Sequence, residues 1–181
     1  RLRAPGGGAY FTPALEVVGD LAAILEDLAP RLIPHGTESD WDVAAVDRIR
    51  RERLAALEVP VDGLAPHRVA QVTRELTAAG SIASVDAGAH MFPATAYWQA
   101  LEPGELLISN GLATMGFALP AAIAAQLAHP TRRVVCFTGD GGLMMVAAEL
   151  ETVARLRLPI VIVVFNDLGL SLIEVKQEQK G

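Results

Sequence analysis

An α/β fold with a parallel sheet flanked by helices is predicted for this chain by three observations. The stretch from Val134 to Asn166, VVCFTGDGGLMMVAAELETVARLRLPIVIVVFN, reads as an apolar strand, a glycine-rich turn, an amphipathic helix and a second apolar strand. A helix opened by Pro66 and stopped by Gly80 leads into another strand, Ile82-Ala83-Ser84-Val85-Asp86. Between these lies a short strand, Leu106-Leu107-Ile108, followed by a glycine-punctuated loop that enters a helix. Strands alternating with helices in this way build a parallel sheet covered on its faces.

Taken in order, residues 1 to 8, RLRAPGGG, read as a turn-rich, mobile lead-in or the cut end of a preceding element. Leu15-Glu16-Val17-Val18 reads as a strand, and Asp20 caps a helix that runs to about Leu28, where Pro30 and Pro34 end it. Ser39-Asp40-Trp41 caps a second helix reaching about Leu57, with Val43, Val46, Ile49, Leu54 and Leu57 on its inward face. Its arginines, Arg48, Arg50, Arg51 and Arg53, read as a solvated face. The linker Val59-Pro60-Val61-Asp62-Gly63 marks the domain boundary, with residues 1–60 before it and residues 61–181 after it. The Pro66 helix should reach Ala79, and Met91 should begin a helix to Trp98 despite Pro93. The helix after Pro120 should continue through Leu127, and the helix after Gly142 should carry one apolar stripe of Leu143, Val146, Leu150, Val153, Ala154 and Leu156. Glu149 and Glu151 read as surface or interface charges.

Strands of a parallel sheet carry functional groups just past their carboxyl ends, so Asp140 and Asn166 can converge on one edge. A carboxylate, an amide oxygen and backbone carbonyls suit a hard divalent cation such as magnesium, which keeps positions for phosphate and water. Gly139, Gly141 and Gly142 allow close backbone approach, and amides at the start of the next helix point at an anion. The combination reads as a site for a diphosphate clamped through a metal.

The same residues carry a resemblance. Gly139-Asp140-Gly141, with Asn166 ending an apolar strand, resembles the cofactor motif of thiamine-diphosphate-dependent enzymes similar to acetolactate synthase. The run SNGLATMGFALPAA, Ser109 to Ala122, resembles the block that holds the cofactor's aminopyrimidine ring in that family. The resemblance implies a flavodoxin/Rossmann-like cofactor domain over residues 61–181, incomplete at its C-terminus, with residues 1–60 as the tail of a central α/β domain plus a linker helix. It implies thiamine diphosphate and Mg2+ as cofactors, with Asp140, Asn166 and the Leu168 backbone carbonyl on the metal. Gly88-Ala89-His90 matches a Gly-x-His that touches the diphosphate; position alone reads His90 as a packing residue of the loop. The Ala113 carbonyl, where many relatives carry Gly, should accept from the exocyclic amine. Met115 should act as an apolar wedge beneath the cofactor, although without the resemblance it reads as core packing. Asp167 stands where relatives often have Asn, and Lys176-Gln177 resembles the catabolic enzymes.

The reaction implied is decarboxylation and carboligation of a 2-oxo acid, with 2-acetolactate from pyruvate favoured. Decarboxylation of oxalyl-CoA, benzoylformate or glyoxylate stays open, as does a non-catalytic assembly module. The activating glutamate belongs, in the family, to a pyrimidine-binding domain of a second subunit, and nothing here matches that domain. The chain is therefore expected to be a fragment without a catalytic residue of its own, working in a homodimer or homotetramer, with FAD an open question for the parent. A nicotinamide-binding domain is the lesser enzyme alternative, because the turn is Gly-Asp-Gly-Gly, without Gly-x-Gly-x-x-Gly spacing and an acidic residue at the next strand end.

Composition sets the outer limits. A formal charge of -6 and no basic cluster beyond Arg48 to Arg53 argue against nucleic acid. Hydrophobic residues make up 51% and aromatics 5%, so aliphatic side chains and alanine fill the core. The single cysteine, Cys136, lies in an apolar strand, which excludes an internal disulfide and a thiolate zinc cluster. Met115 to Ala128 is too short to cross a bilayer, and no secretory signal opens the chain, so a soluble cytoplasmic protein is expected.

Overall fold

The computed structural model describes residues 2–3, 16–32, 41–58 and 60–179. The chain divides into two compact units, Arg1–Val46 and Asp47–Gly181. The division falls within a helix, ahead of the linker at which the sequence places the boundary.

In the first unit β1 (Leu2–Arg3) pairs antiparallel with β2 (Glu16–Val17), Leu2 opposite Val17. The segment read as a turn-rich lead-in thus holds a strand. Two residues are too few to show periodicity, and the strand forms because the edge of β2 offers backbone partners. Leu15, the expected start of β2, lies outside the described residues. Helix α1 (Leu21–Leu32) is capped as expected: the Asp20 carboxylate accepts from the Ala23 N–H at 2.9 Å. It does not stop at Leu28, and Pro30 lies inside it. A proline this close to the C-terminal end removes one late hydrogen bond and leaves the earlier turns intact.

Helix α2 (Val43–Ala55) takes its cap from Asp42, whose carboxylate accepts from the Ala45 N–H at 2.9 Å. The expected cap, Ser39-Asp40-Trp41, is corrected: Asp42 immediately precedes the first helical residue and so reaches the third amide, while Ser39 and Asp40 lie outside the described residues. The expected inward face is also corrected. Val43, Val46, Ile49 and Leu57 are exposed and Leu54 is half-buried. Periodicity marks an apolar face without saying which chain covers it. The arginines are solvated as expected, Arg48 standing 4.0 Å from Glu52.

The second unit is built on a four-stranded, all-parallel sheet in the order β4-β3-β5-β6. Its strands are β3 (Ile82–Val85), β4 (Leu106–Ile108), β5 (Val134–Gly139) and β6 (Ile160–Phe165). Helices α3 (Pro66–Glu75), α4 (Met91–Tyr97), α5 (Ala118–Ala128), α6 (Asp140–Met145), α7 (Glu149–Arg155) and α8 (Ser171–Glu178) flank it. Alternation along the strands divides the core. Ile82, Val134 and Cys136 pack with Leu119, Ala122 and Ile123 of α5, while Val85, Val135 and Phe137 pack with Ala94 and Trp98 on the opposite face. With both faces covered, every residue of β3 is buried, as the continuous apolar runs require.

Three helix readings change. Helix α3 ends at Glu75 rather than Ala79, because the Thr77 hydroxyl bonds the Thr73 carbonyl and Arg74 donates to the Thr77 carbonyl at 3.0 Å, closing the last turn early. The single helix expected after Gly142 is two, broken at Val146, whose methyl group would lie 3.2 Å from a Cβ on Gly116. Leu143, Val146 and Val153 still reach the core, but Leu150 and Leu156 are exposed. Helix α8, not expected as a helix, follows Asn166. Pro93 is tolerated in α4 as expected, because it sits in the first turn, where amides have no intrahelical partner. Glu151 is on the surface, 3.0 Å from Arg155.

Cys136 is fully buried, and burial pushes its thiol up to about 12. It is the core residue the sequence suggests. A thiol reagent at pH 8 should label it only at the rate of unfolding, and rapid labelling of the folded chain would contradict this packing. No helix among the described residues is long and apolar enough to cross a membrane.

Candidate functional site

Strand order creates the site. From β3 the chain moves outward to β4, then crosses back past β3 to β5, so the carboxyl ends of β3 and β5 flank a topological switch point. Four segments leave the sheet at that edge: Asp86–His90 after β3, Ser109–Phe117 after β4, Asp140–Gly142 after β5 and Asn166–Leu170 after β6. A cavity of about 770 Å³ lies among them. It is lined by Gly88, His90, Ala113, Met115, Gly139, Asp140, Gly141, Gly142 and Asn166, which are nine of the ten residues singled out from sequence. Leu168 is the exception, and its side chain is almost wholly exposed.

Asp140 and Asn166 are brought together by register. Gly139 and Phe165 are paired across β5 and β6, so the next residue on each strand leaves the sheet side by side; neighbouring strands lie about 4.8 Å apart. The Asp140 Oδ1 accepts from the Gly141 N–H at 2.8 Å, while Oδ2 has no partner among the described residues. Asn166 Oδ1 accepts from the Leu168 N–H at 3.0 Å. That turn holds Leu168 at φ 65, in the left-handed region. The Asp167 carboxylate accepts from the Gly169 N–H and the Ser171 hydroxyl, which ties the loop to the start of α8. No group of three or more His, Cys, Asp or Glu side chains that could hold a metal occurs among the described residues. Asp140 and Asn166 place a carboxylate and an amide oxygen on the cavity, donors of a kind that suits magnesium rather than zinc.

His90 forms a wall. Its ring stacks on Phe165 at 5.3 Å and 15°, and Phe165 continues the contact to Phe137 and Trp98. The ring also presses on the backbone: a Cβ on Gly88, at φ +151, would come 2.7 Å from it, and one on Gly139 would come 3.3 Å from it. The side chain is buried, yet Nε2 has no hydrogen-bond partner among the described residues. Burial lowers the imidazole's pKa, and the charges of Asp86 and Asp167 only partly oppose this. The unfolded chain therefore binds the extra proton near the usual 6.5 and the folded chain resists it, so stability is full above that value and falls as pH drops through it. Urea unfolding between pH 7 and pH 5 should show this loss, and His90→Gln should flatten it; an unchanged slope would remove His90 as its source.

Opposite His90, Met115 reaches across the turn. Its terminal methyl lies 3.2 Å and a Leu170 methyl 3.3 Å from where a Cβ on Gly141 would be. Ala113 sits at φ 49 and donates to the Ser109 carbonyl at 3.0 Å. Alanine thus holds a conformation that glycine adopts freely, at a cost of about 1 kcal/mol. Sequence reasoning missed the role of Asp86, treating it only as a strand end. It is fully buried and accepts from the N–H groups of Gly116 at 2.9 Å and Phe117 at 2.8 Å. The signal was a carboxylate closing an otherwise apolar strand. The stacking of Phe165 left no local signal, nor did the helical form of α8, whose Ser171, Leu172 and Ile173 line the cavity.

A cleft at a switch point, with an unpartnered buried imidazole, a glycine-lined turn and oxygen donors, suits a metal-bound diphosphate. The family model described as "Thiamine pyrophosphate enzyme, C-terminal TPP binding domain" matches residues 86–181, more than half of the chain. The chain belongs to the thiamine pyrophosphate enzymes. The match begins at Asp86 and takes in all four segments of the cleft. Among curated relatives, the catabolic acetolactate synthase of Raoultella terrigena is 34% identical over 94% of this chain and 31% of its own length. Acetolactate synthase isozyme 1 large subunit of Escherichia coli (strain K12) is also 34% identical, over 94% of this chain and 30% of its own. The acetolactate synthase of Bacillus subtilis (strain 168) is 32% identical over 94% and 30%. The chain thus spans less than a third of these relatives, and it is a domain of a thiamine-pyrophosphate-dependent enzyme family related to acetolactate synthases.

Proposed function

We propose that this chain supplies the magnesium and diphosphate half-site of a thiamine-diphosphate-dependent enzyme acting on a 2-oxo acid, with 2-acetolactate formation from pyruvate as the favoured reaction. The observation that carries the proposal is the pairing of Gly139 with Phe165, which sets Asp140 and Asn166 side by side on the cavity that His90 walls. In this reading Asp140, Asn166 and the Leu168 carbonyl hold Mg2+. The amides of the glycine turn and His90 Nε2, uncharged at neutral pH, bind the diphosphate. The Ala113 carbonyl would accept from the exocyclic amine, and Met115 would supply an apolar support for the bound cofactor. Thiamine diphosphate, when bound, supplies the nucleophilic carbon and electron sink that decarboxylation needs.

Exposed Leu112, Met144, Met145 and Leu168 support a partner over the cleft. In the proposal that partner is a pyrimidine-binding domain of a second subunit, carrying the activating glutamate, within a homodimer or homotetramer. Identity is the same 34% to a catabolic acetolactate synthase and to isozyme 1, so it does not choose between those two relatives. The test is calorimetric titration of the folded chain with thiamine diphosphate, with and without magnesium. Binding only with magnesium is expected, together with no carbon dioxide release from pyruvate by the chain alone. Equal binding without a divalent ion, or none by a folded chain, would overturn the half-site, and decarboxylation by the lone chain would overturn the need for a partner.

A further inference from the structure

The Asp86 carboxylate, which opens the first of the four segments of the cleft directly after β3, reaches two of the other three. It accepts from the N–H groups of Gly116, Phe117 and Ala118, at 2.9, 2.8 and 3.4 Å, where the Met115 loop enters α5. Its Oδ2 also lies 3.1 Å from the Thr138 hydroxyl and would be 2.0 Å from a Cβ on Gly142, in the turn after β5. The neighbouring Ser84 hydroxyl adds a separate grip on the Ala118 carbonyl at 2.8 Å.

An ordinary helix cap is solvent-exposed and joins residues close in sequence. This one is fully buried and reaches across 30 positions, from Asp86 to Gly116. Gly116 itself stands at φ +79, next to Met115, so the loop turns sharply at the point where Asp86 holds it. Met115 in turn spans the cleft to Gly141. The carboxylate therefore fixes the distance between the loop above the cleft and the turn below it.

We propose that Asp86 is a positioning residue: one buried carboxylate sets the height of the Met115 loop over the Gly139–Gly142 turn, and with it the opening that admits the cofactor's ring system. The ring assignment rests on the half-site reading above, whereas the clamp itself does not.

Asn is nearly isosteric with Asp but offers one acceptor oxygen and an NH2 group, so Asp86→Asn leaves the Gly116 N–H facing a donor. Ser84→Ala removes the adjacent grip and keeps the carboxylate. Amide hydrogen exchange on the native chain comes first: Gly116 and Phe117 should exchange as slowly as β5, and exchange at the rate of the open Leu112 loop would overturn the clamp without any variant. In Asp86→Asn their exchange should quicken about tenfold or more while β5 and β6 stay unchanged. Titrations with magnesium plus inorganic pyrophosphate and with magnesium plus thiamine diphosphate complete the test. Asp86→Asn should leave pyrophosphate affinity within about threefold and weaken thiamine diphosphate by about tenfold or more, and Ser84→Ala should not change that ratio. Equal weakening of both ligands would reduce Asp86 to a structural cap and overturn the positioning role. If the native chain binds neither ligand, the half-site reading fails, and the exchange result alone decides the clamp.

Discussion

Gly142→Ala is expected to destabilise the chain by about 3 kcal/mol and to abolish thiamine diphosphate binding. A Cβ there would stand 2.0 Å from the Asp86 Oδ2 and 3.2 Å from the Thr138 hydroxyl oxygen. The first distance is far inside contact, and both neighbours are fully buried. Either the carboxylate leaves its N–H donors, each worth about 1.5–3 kcal/mol to a charged acceptor, or the start of α6 is displaced. The helix preference of alanine over glycine returns about 1 kcal/mol at most. Gly111→Ala is the control, because nothing lies within 4 Å of its Cβ position and its φ is not in the left-handed region; its effect should stay within about 0.5 kcal/mol. Urea unfolding midpoints compare the two, and equal midpoints would mean that the carboxylate is not held where it is described.

Asp140→Ala should weaken magnesium-dependent binding of thiamine diphosphate by about 100-fold or more, and Asn166→Ala by about tenfold or more. Little folding energy should be lost, since the Asp140 side chain bonds only the adjacent Gly141 N–H and Asn166 is exposed. The effect therefore belongs to the ligand. Magnesium plus pyrophosphate should lose affinity in parallel, because neither residue is assigned to the ring system. Calorimetry on both variants reads this directly. An Asp140→Ala chain that binds within about threefold of the native one would remove the metal assignment.

The sheet and the cleft were legible because β-strand signals here are strong and the functional loops follow strand ends. β3 to β6 are apolar runs bounded by glycine, proline or polar residues, and each was expected at its place. Elements whose limits depend on tertiary contact were harder to read. The break between α6 and α7 follows from Val146 packing on Gly116, which lies 30 positions away. The early end of α3 depends on the Thr77 and Arg74 side chains bonding back into the helix. The apolar stripe of α2 was read correctly as a stripe and wrongly as buried. In the site, Asp140 and Asn166 were singled out by residue type at strand ends and His90 by the family resemblance, and all three line the cavity. Asp86 was not singled out, because a buried carboxylate is justified only by amides that the chain delivers from another loop.

The ladder between β5 and β6 acts as a ruler. Its pairs run unbroken from Val134 opposite Ile160 to Gly139 opposite Phe165. Deleting one residue from either strand would draw Asp140 or Asn166 back by about 3.3 Å and turn it to the other face of the sheet. The same deletion among Thr131, Arg132 and Arg133, at the far edge, leaves the count between ladder and ligand untouched. The cost of a change in length should therefore differ in kind: along the two strands it moves the site itself, whereas at Arg132 it breaks the bonds to Gly80 and Glu105 and leaves the register of the site alone.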